Sequence, residues 1–309
     1  MTGPSLAQPG RVSPPEPVRG ATGLRGFLRL VAIEHSVFAL PFAYIAALTA
    51  MRPDVRWGDL ALVTVAMVAA RTFAMAANRV IDRELDARNP RTASRELVTG
   101  ALPLRTALAG MAGSLVVFLG AALLLSPLCL ALAPVALVPL TLYPYAKRVT
   151  WLCHYVLGLA QAIAPVGAWV AVTGTLRGWT PAIWLGLAVG TWIAGFDLIY
   201  ACQDIASDRR EGVHSLPARF GARAALAVSV ATHAVTVALL VLFGRAAGLG
   251  ALWWVGVAAT TVALAYEHAI VRPDDLSRVN RAFFTVNGFV GIGLFAFALA
   301  DLAAHGLRP

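Results

Sequence analysis

The chain has 309 residues, of which 59% are hydrophobic and only 13% charged, whereas a soluble domain carries about 25% charged residues. That balance excludes an ordinary soluble domain and indicates a polytopic membrane protein. The net charge of +9 does not mark a nucleic-acid binder, because the excess is arginine at the ends of apolar stretches, not a basic stripe with interleaved aromatics.

Residues 1–24, rich in Pro, Gly and Ser, are expected to form a disordered cytoplasmic tail. The apolar stretch 27–50 exceeds the roughly 20 residues that a membrane crossing needs. It lacks the short core and nearby cleavage site of a signal peptide, so it reads as a retained first helix. Further spans are expected at 59–80, 104–126, 128–146, 152–173, 180–202, 221–243, 248–268 and 279–304. The expected fold is therefore all-α: a bundle of nine transmembrane helices around a central cavity, formed by residues 25–309. Turn chemistry marks the breaks at Arg52-Pro53-Asp54, Ser126-Pro127, Gly174 to Pro181, Gly244 to Gly250, and Arg272-Pro273-Asp274. At Ser126-Pro127 a tight hairpin and one kinked helix look alike.

With the N-terminus inside, the outer side keeps only Arg52, Arg56, Arg177, Arg245 and Arg308, while most other basic residues fall inside. Cys129, Cys153 and Cys202 lie in apolar stretches without metal-ligand spacing. Trp253 and Trp254 are expected in an interfacial belt, and Gly186 and Gly190 at a close helix contact. His35, His154 and His268 read as capping or core histidines, and Asn280 and Asn287 as packing residues.

Two polar trios stand out from this apolar background. Asn78, Asp82 and Asp86 step by four residues, as do Tyr200, Asp204 and Asp208, at one constant offset of 122. Positions four apart share one helix face, and two aspartates so placed repel each other unless a cation lies between them. Neutralisation by Arg83, Arg209 and Arg210 would explain one motif, but not why both share spacing, side and helix position. The pair reads as a divalent-metal site, its ligand a diphosphate, built at the interface of two related halves. No glycine-rich phosphate loop is present, so metal ions must hold the phosphates. A transporter would place its carboxylates at the midplane; here only Asp197 lies deeper.

The pattern Asn-x-x-x-Asp-x-x-x-Asp, followed by Asp197-x-x-Tyr-x-x-x-Asp-x-x-x-Asp208, resembles the paired signature of the UbiA superfamily of intramembrane aromatic prenyltransferases. Asp86 to Thr92, Tyr143-Pro144 to Lys147-Arg148, and Ser215 to Gly221 match as well. Within that superfamily the chain is most similar to the 4-hydroxybenzoate polyprenyltransferase group, with haem or chlorophyll side-chain prenylation as the alternatives. Glu34 to Phe42 and Trp151 to His154 resemble the branch associated with menaquinone made through futalosine. The resemblance implies Mg²⁺ held by Asp82, Asp86, Asp204 and Asp208 with Asn78, and a polyprenyl diphosphate donor. It also implies an aromatic acid acceptor and an active site facing the cytoplasm at a bacterial inner membrane. Arg83, Lys147 and Arg148 would steady the departing phosphates, and Tyr200 adds a phenol on the same face. Asp197 would orient substrate, polarise a water or accept the ring proton, with a structural hydrogen bond as the alternative. Arg71, inside the second span, would bind the acceptor's carboxylate, with a salt bridge to Asp197 or Glu34 as the alternative.

Overall fold

The computed structural model describes residues 24–31 and 39–308. Residues 1–23 of the expected tail, and the segment containing Glu34 and His35, lie outside the described residues. The described residues form helices and turns. In chain order the helices are α1 (Leu24–Leu30), α2 (Leu40–Met51), α3 (Trp57–Ile81), α4 (Arg83–Arg88), α5 (Glu96–Thr99), α6 (Leu104–Leu125) and α7 (Pro127–Ala146). Then come α8 (Cys153–Thr173), α9 (Thr180–Ala201), α10 (Ile205–Glu211), α11 (Leu216–Ala246), α12 (Ala251–Ile270), α13 (Val279–Arg281) and α14 (Asn287–Ala304).

Among the described residues, seven helical segments are long and apolar enough to cross a membrane: α3, α6, α7, α8, α9 extended through α10, α11, and α13 through α14. The expected first span, 27–50, contributes only the 12-residue α2 as a long described helix. Helix α12 has 20 residues, but Tyr266, Glu267 and His268 near its end make it less apolar. The Ser126-Pro127 ambiguity resolves as a hairpin. Ser126 is extended, with φ −168° and ψ 155°, and its hydroxyl accepts from the Cys129 N–H to cap α7, which starts with Pro127.

Helix α9 is the centre of the bundle, packed against α8 on one side and α11 on the other. Glycines permit both approaches. A Cβ on Gly158 of α8 would lie 2.2 Å from the Gly190 carbonyl oxygen of α9, and one on Gly186 would lie 2.6 Å from the Ala162 carbonyl oxygen. The expected close contact at Gly186 and Gly190 is thus α8 against α9. On the other side Ser229 of α11 donates to the Gly195 carbonyl at 2.6 Å, and the His233 ring fills the space that a side chain on Gly195 would take. Asn287 packs helices as expected: it accepts from Trp192 Nε1 at 2.9 Å and donates to Glu267 at 2.9 Å. Trp253 departs from the expected interfacial belt. It is fully buried against Phe243 and the bare backbone of Gly244, because a glycine opposite it opens a slot in the core.

Both acidic trios straddle a helix break rather than lying on one unbroken helix. Asp82 sits between α3 and α4 with φ −92° and ψ 3°. Asp204 sits between α9 and α10 with φ −100° and ψ 2°, after a 3₁₀ turn over Cys202–Asp204. The middle carboxylates of the two motifs thus share one backbone conformation. The Asp82 N–H still bonds the Asn78 carbonyl at 2.9 Å, and the Asp86 N–H the Asp82 carbonyl at 2.8 Å, so the four-residue step survives the break.

Candidate active site

The two motifs wall one polar cavity of about 220 Å³. Asn78, Asp82 and Asp86 enter it from the end of α3 and from α4; Asp197, Tyr200, Asp204 and Asp208 enter from α9, its 3₁₀ extension and α10. Six carboxylates line it, counting Glu211, against the three fixed cations Arg91, Arg95 and Lys147. The wall therefore carries an excess of negative charge made of hard oxygen donors.

Each motif carboxylate has a defined partner. Asp82, 1% exposed, accepts from Lys147 Nζ at 2.6 Å, Asn78 Nδ2 at 2.9 Å and Arg148 Nη2 at 3.4 Å. Asp86 takes Arg95 Nη1 at 2.5 Å on both oxygens. Asp204 is gripped by Arg91, with Nη2 at 2.6 Å and Nε at 3.0 Å on its two oxygens, and by Asn89 Nδ2 at 3.0 Å. Asp208 accepts from the Ser215 hydroxyl at 2.7 Å. Deeper in the cavity, Asp197 Oδ2 lies 2.6 Å from His154 Nδ1.

The two motifs are locked together at this point. Asn89 and Arg91 follow the first motif in sequence yet bind the second motif's Asp204. Arg91 Nη1 also donates to the Tyr200 hydroxyl at 3.1 Å, and its guanidinium lies over the Tyr200 ring, 5.0 Å from the centroid. Burial alone would lower the Arg91 guanidinium pKa, but its hydrogen bonds and charge contact with Asp204 carry it above the ordinary arginine value. The backbone joins them too, since the His214 N–H donates to the Lys147 carbonyl at 2.7 Å.

A second cavity, apolar and about 440 Å³, is lined by α3 from Val63 to Arg71, α8 from Leu159 to Ala171 and α9 from Ile183 to Leu187, with α6 and α7 closing its side. The same three helices therefore carry the polar cavity at one end and the apolar one further along.

Of the sequence-predicted residues, Asn78, Asp82, Asp86, Lys147, Asp197, Tyr200, Asp204 and Asp208 meet in the polar cavity. Arg148 reaches its rim through Asp82 and the Ile81 carbonyl. Arg83 does not line either cavity; its Nε donates to the Leu97 carbonyl at 3.1 Å. Arg71 lines the apolar cavity instead of the acidic one, and donates to the Val31 carbonyl at 3.0 Å. Sequence reasoning missed Arg91, Arg95, Asn89 and Ser215 as site members, and placed His154 among core histidines. The usable signals were the matching stretches that hold Asn89, Arg91 and Ser215, and Pro90, which can turn the chain back after the first motif so that Asn89 and Arg91 reach across.

The carboxylates are spread around the cavity, and no three His, Cys, Asp or Glu side chains among the described residues form a ready-made metal cluster. The carboxylate oxygens that line the cavity are the donor type that Mg²⁺ takes, together with waters and substrate phosphates.

The profile of the UbiA prenyltransferase family matches residues 39–289. The chain is 34% identical to a 4-hydroxybenzoate octaprenyltransferase of Alkalilimnicola ehrlichii over 74% of its own length and 77% of that protein. It is 32% identical to a 4-hydroxybenzoate solanesyltransferase of Synechocystis, over 71% and 74% of the two chains. Its fold is similar to the apo structure of a UbiA homolog from Aeropyrum pernix, with a TM-score of 0.80 and 38% identity, covering 87% of this chain and 98% of that one. A UbiA homolog from Archaeoglobus fulgidus bound to GPP and Mg²⁺ shares the fold at a TM-score of 0.69 and 19% identity, covering 90% and 99%.

Proposed function

The chain belongs to the UbiA prenyltransferase family and is a prenyltransferase, and we propose that it transfers a polyprenyl group from an isoprenyl diphosphate to 4-hydroxybenzoate or a related aromatic acid. The product would feed the assembly of a membrane quinone, ubiquinone or menaquinone. The observation that carries this reading is the pairing of cavities: an oxygen-rich acidic cavity and an apolar one arrayed along the same three helices. A diphosphate head and a hydrocarbon tail need that combination.

In this reading Asp82, Asp86, Asp204 and Asp208, with Asn78, hold two Mg²⁺ ions. Bound there, Mg²⁺ supplies Lewis-acid neutralisation of the diphosphate as it leaves. Lys147, Arg91 and Arg95 line the same wall and offer donors to phosphate oxygens, the arginines as planar forks and the lysine as a point charge. The apolar cavity takes the prenyl chain and keeps water from the allylic carbon as its bond to the diphosphate lengthens. Arg71 binds the acceptor's carboxylate from the apolar side, and Asp197 receives the ring proton. The protein would sit in a bacterial inner membrane as a bundle of nine crossings, with both motifs on the cytoplasmic face, an orientation that the concentration of arginine on that side supports.

Membranes containing the protein, incubated with Mg²⁺, prenyl diphosphates of several lengths and a panel of aromatic acids, test the reading. The expected product has the mass of a C-prenylated aromatic acid and forms together with diphosphate. Failure to prenylate any aromatic acid, with a known prenyltransferase active alongside, would refute the proposed acceptor class.

A further inference from the structure

Asp197 is served differently from the motif carboxylates. Asp82, Asp86 and Asp204 are held by lysine or arginine and Asp208 by a serine hydroxyl, whereas Asp197 alone is held by an imidazole. The His154 side chain is 3% exposed and Asp197 26%, and both line the polar cavity. The other ring nitrogen, Nε2, lies 3.4 Å from the Leu216 backbone N–H. The Leu216 N–H is directed at Nε2, and Nδ1, 2.6 Å from the carboxylate, donates to Asp197. Leu216 is the first residue of α11, and its N-cap Ser215 donates to Asp208 while accepting from the Ala218 N–H. The start of α11 thus faces Nε2 and fixes the orientation of the ring. One helix start therefore joins Asp208 at the metal end to Asp197 at the deeper end.

We propose that His154 is a positioning residue for prenyl transfer: its Nδ1–H, locked by the amino end of α11, holds the Asp197 carboxylate in one rotamer with its other oxygen turned to the acceptor. The inference rests on the reading of Asp197 as proton acceptor. In that step the bond between the allylic carbon and the diphosphate oxygen breaks, and its electron pair leaves with diphosphate. A ring carbon supplies the pair for the new carbon–carbon bond. The ring C–H proton then passes to the free Asp197 oxygen, its bonding pair restores aromaticity, and the carboxyl group later releases the proton to water at the cavity mouth.

The test compares His154→Phe, His154→Asn and His154→Gln in the full-length protein in detergent or nanodiscs, each alone and combined with Asp197→Asn. Asparagine places an N–H near the Nδ1 position, and glutamine near Nε2. The expected result is an about 10- to 100-fold fall in kcat for His154→Phe, the scale of a misplaced reacting group. The KM for the prenyl diphosphate should stay within about twofold, because the metal and phosphate groups are untouched. Asparagine should restore most of kcat and glutamine little, and His154→Phe should cost nothing further once Asp197 is Asn. If Asn and Gln behave alike, or if the losses multiply in the double variant, His154 acts only in packing and the inference fails. The Asn and Gln pair carries this comparison even where the Phe variant does not accumulate. Full turnover by Asp197→Asn alone would instead remove the reading of Asp197, and the inference with it.

Discussion

Arg91→Ala should loosen the joint between the two motifs. Arg91 leaves the first-motif loop and places two nitrogens on the two oxygens of Asp204 and a third on the Tyr200 hydroxyl. Hydrogen bonds to charged groups contribute about 1.5–3 kcal/mol when buried. The Arg91 side chain is 35% exposed and Asp204 13%, so water screens part of this and about 1–2 kcal/mol in total is a fair expectation. At 1.4 kcal/mol per factor of ten, that is about a 5- to 30-fold loss in kcat/KM for the prenyl diphosphate. Arg91→Lys should recover only part of the loss, since an ammonium cannot bridge both oxygens in a plane. Steady-state kinetics of the purified variants, with thermal unfolding measured beside them, makes the comparison. If Arg91→Ala keeps kcat/KM within twofold of the parent, the joint does not support catalysis and the reasoning from its geometry is wrong.

Asp82→Ala and Asp204→Ala should each cost at least about 10³-fold in turnover, as expected when several kcal/mol of charge stabilisation is lost, while membrane insertion continues; an active variant of either would exclude its metal role. Chelation should stop product formation and added Mg²⁺ should restore it, measured in one continuous diphosphate-release assay. Ala136→Phe, which projects a ring into the apolar cavity, should shift the preferred donor toward shorter prenyl chains when mixed diphosphates compete; an unchanged preference would place the tail elsewhere. Gly158→Leu should prevent α8 and α9 from closing and sharply lower the yield of folded protein, because even a Cβ there meets backbone at 2.2 Å.

The acidic motifs were legible because carboxylates four residues apart stand out in an apolar chain, and their shared spacing pointed to one site. The conformation at their centre was not. Asp82 and Asp204 both end a helix, a feature of how each motif caps one element and begins the next. Arg91 lies in the stretch Asp86 to Thr92 that matches the family signature, but no role could be given to it or to Arg95, since only the fold-back after Asn89-Pro90 brings them onto Asp204 and Asp86. Arg83 sits beside Asp82 in sequence, but its side chain points away to Leu97, as neighbours on a helix do. Trp253 failed as an interfacial residue because its surroundings are set by Gly244 on another helix, which no local pattern encodes. His154 needed Asp197 and the start of α11 beside it before its role could be read.

The central claim is that both motifs grip one diphosphate. A structure of the protein with Mg²⁺ and a non-reactive prenyl thiodiphosphate tests it directly. The account predicts metal ions bridging the diphosphate to carboxylates of both motifs, Asp82 or Asp86 on one side and Asp204 or Asp208 on the other, with the prenyl chain along α3, α8 and α9. Metal and diphosphate bound by one motif alone, or a chain running outside the apolar cavity, would contradict it.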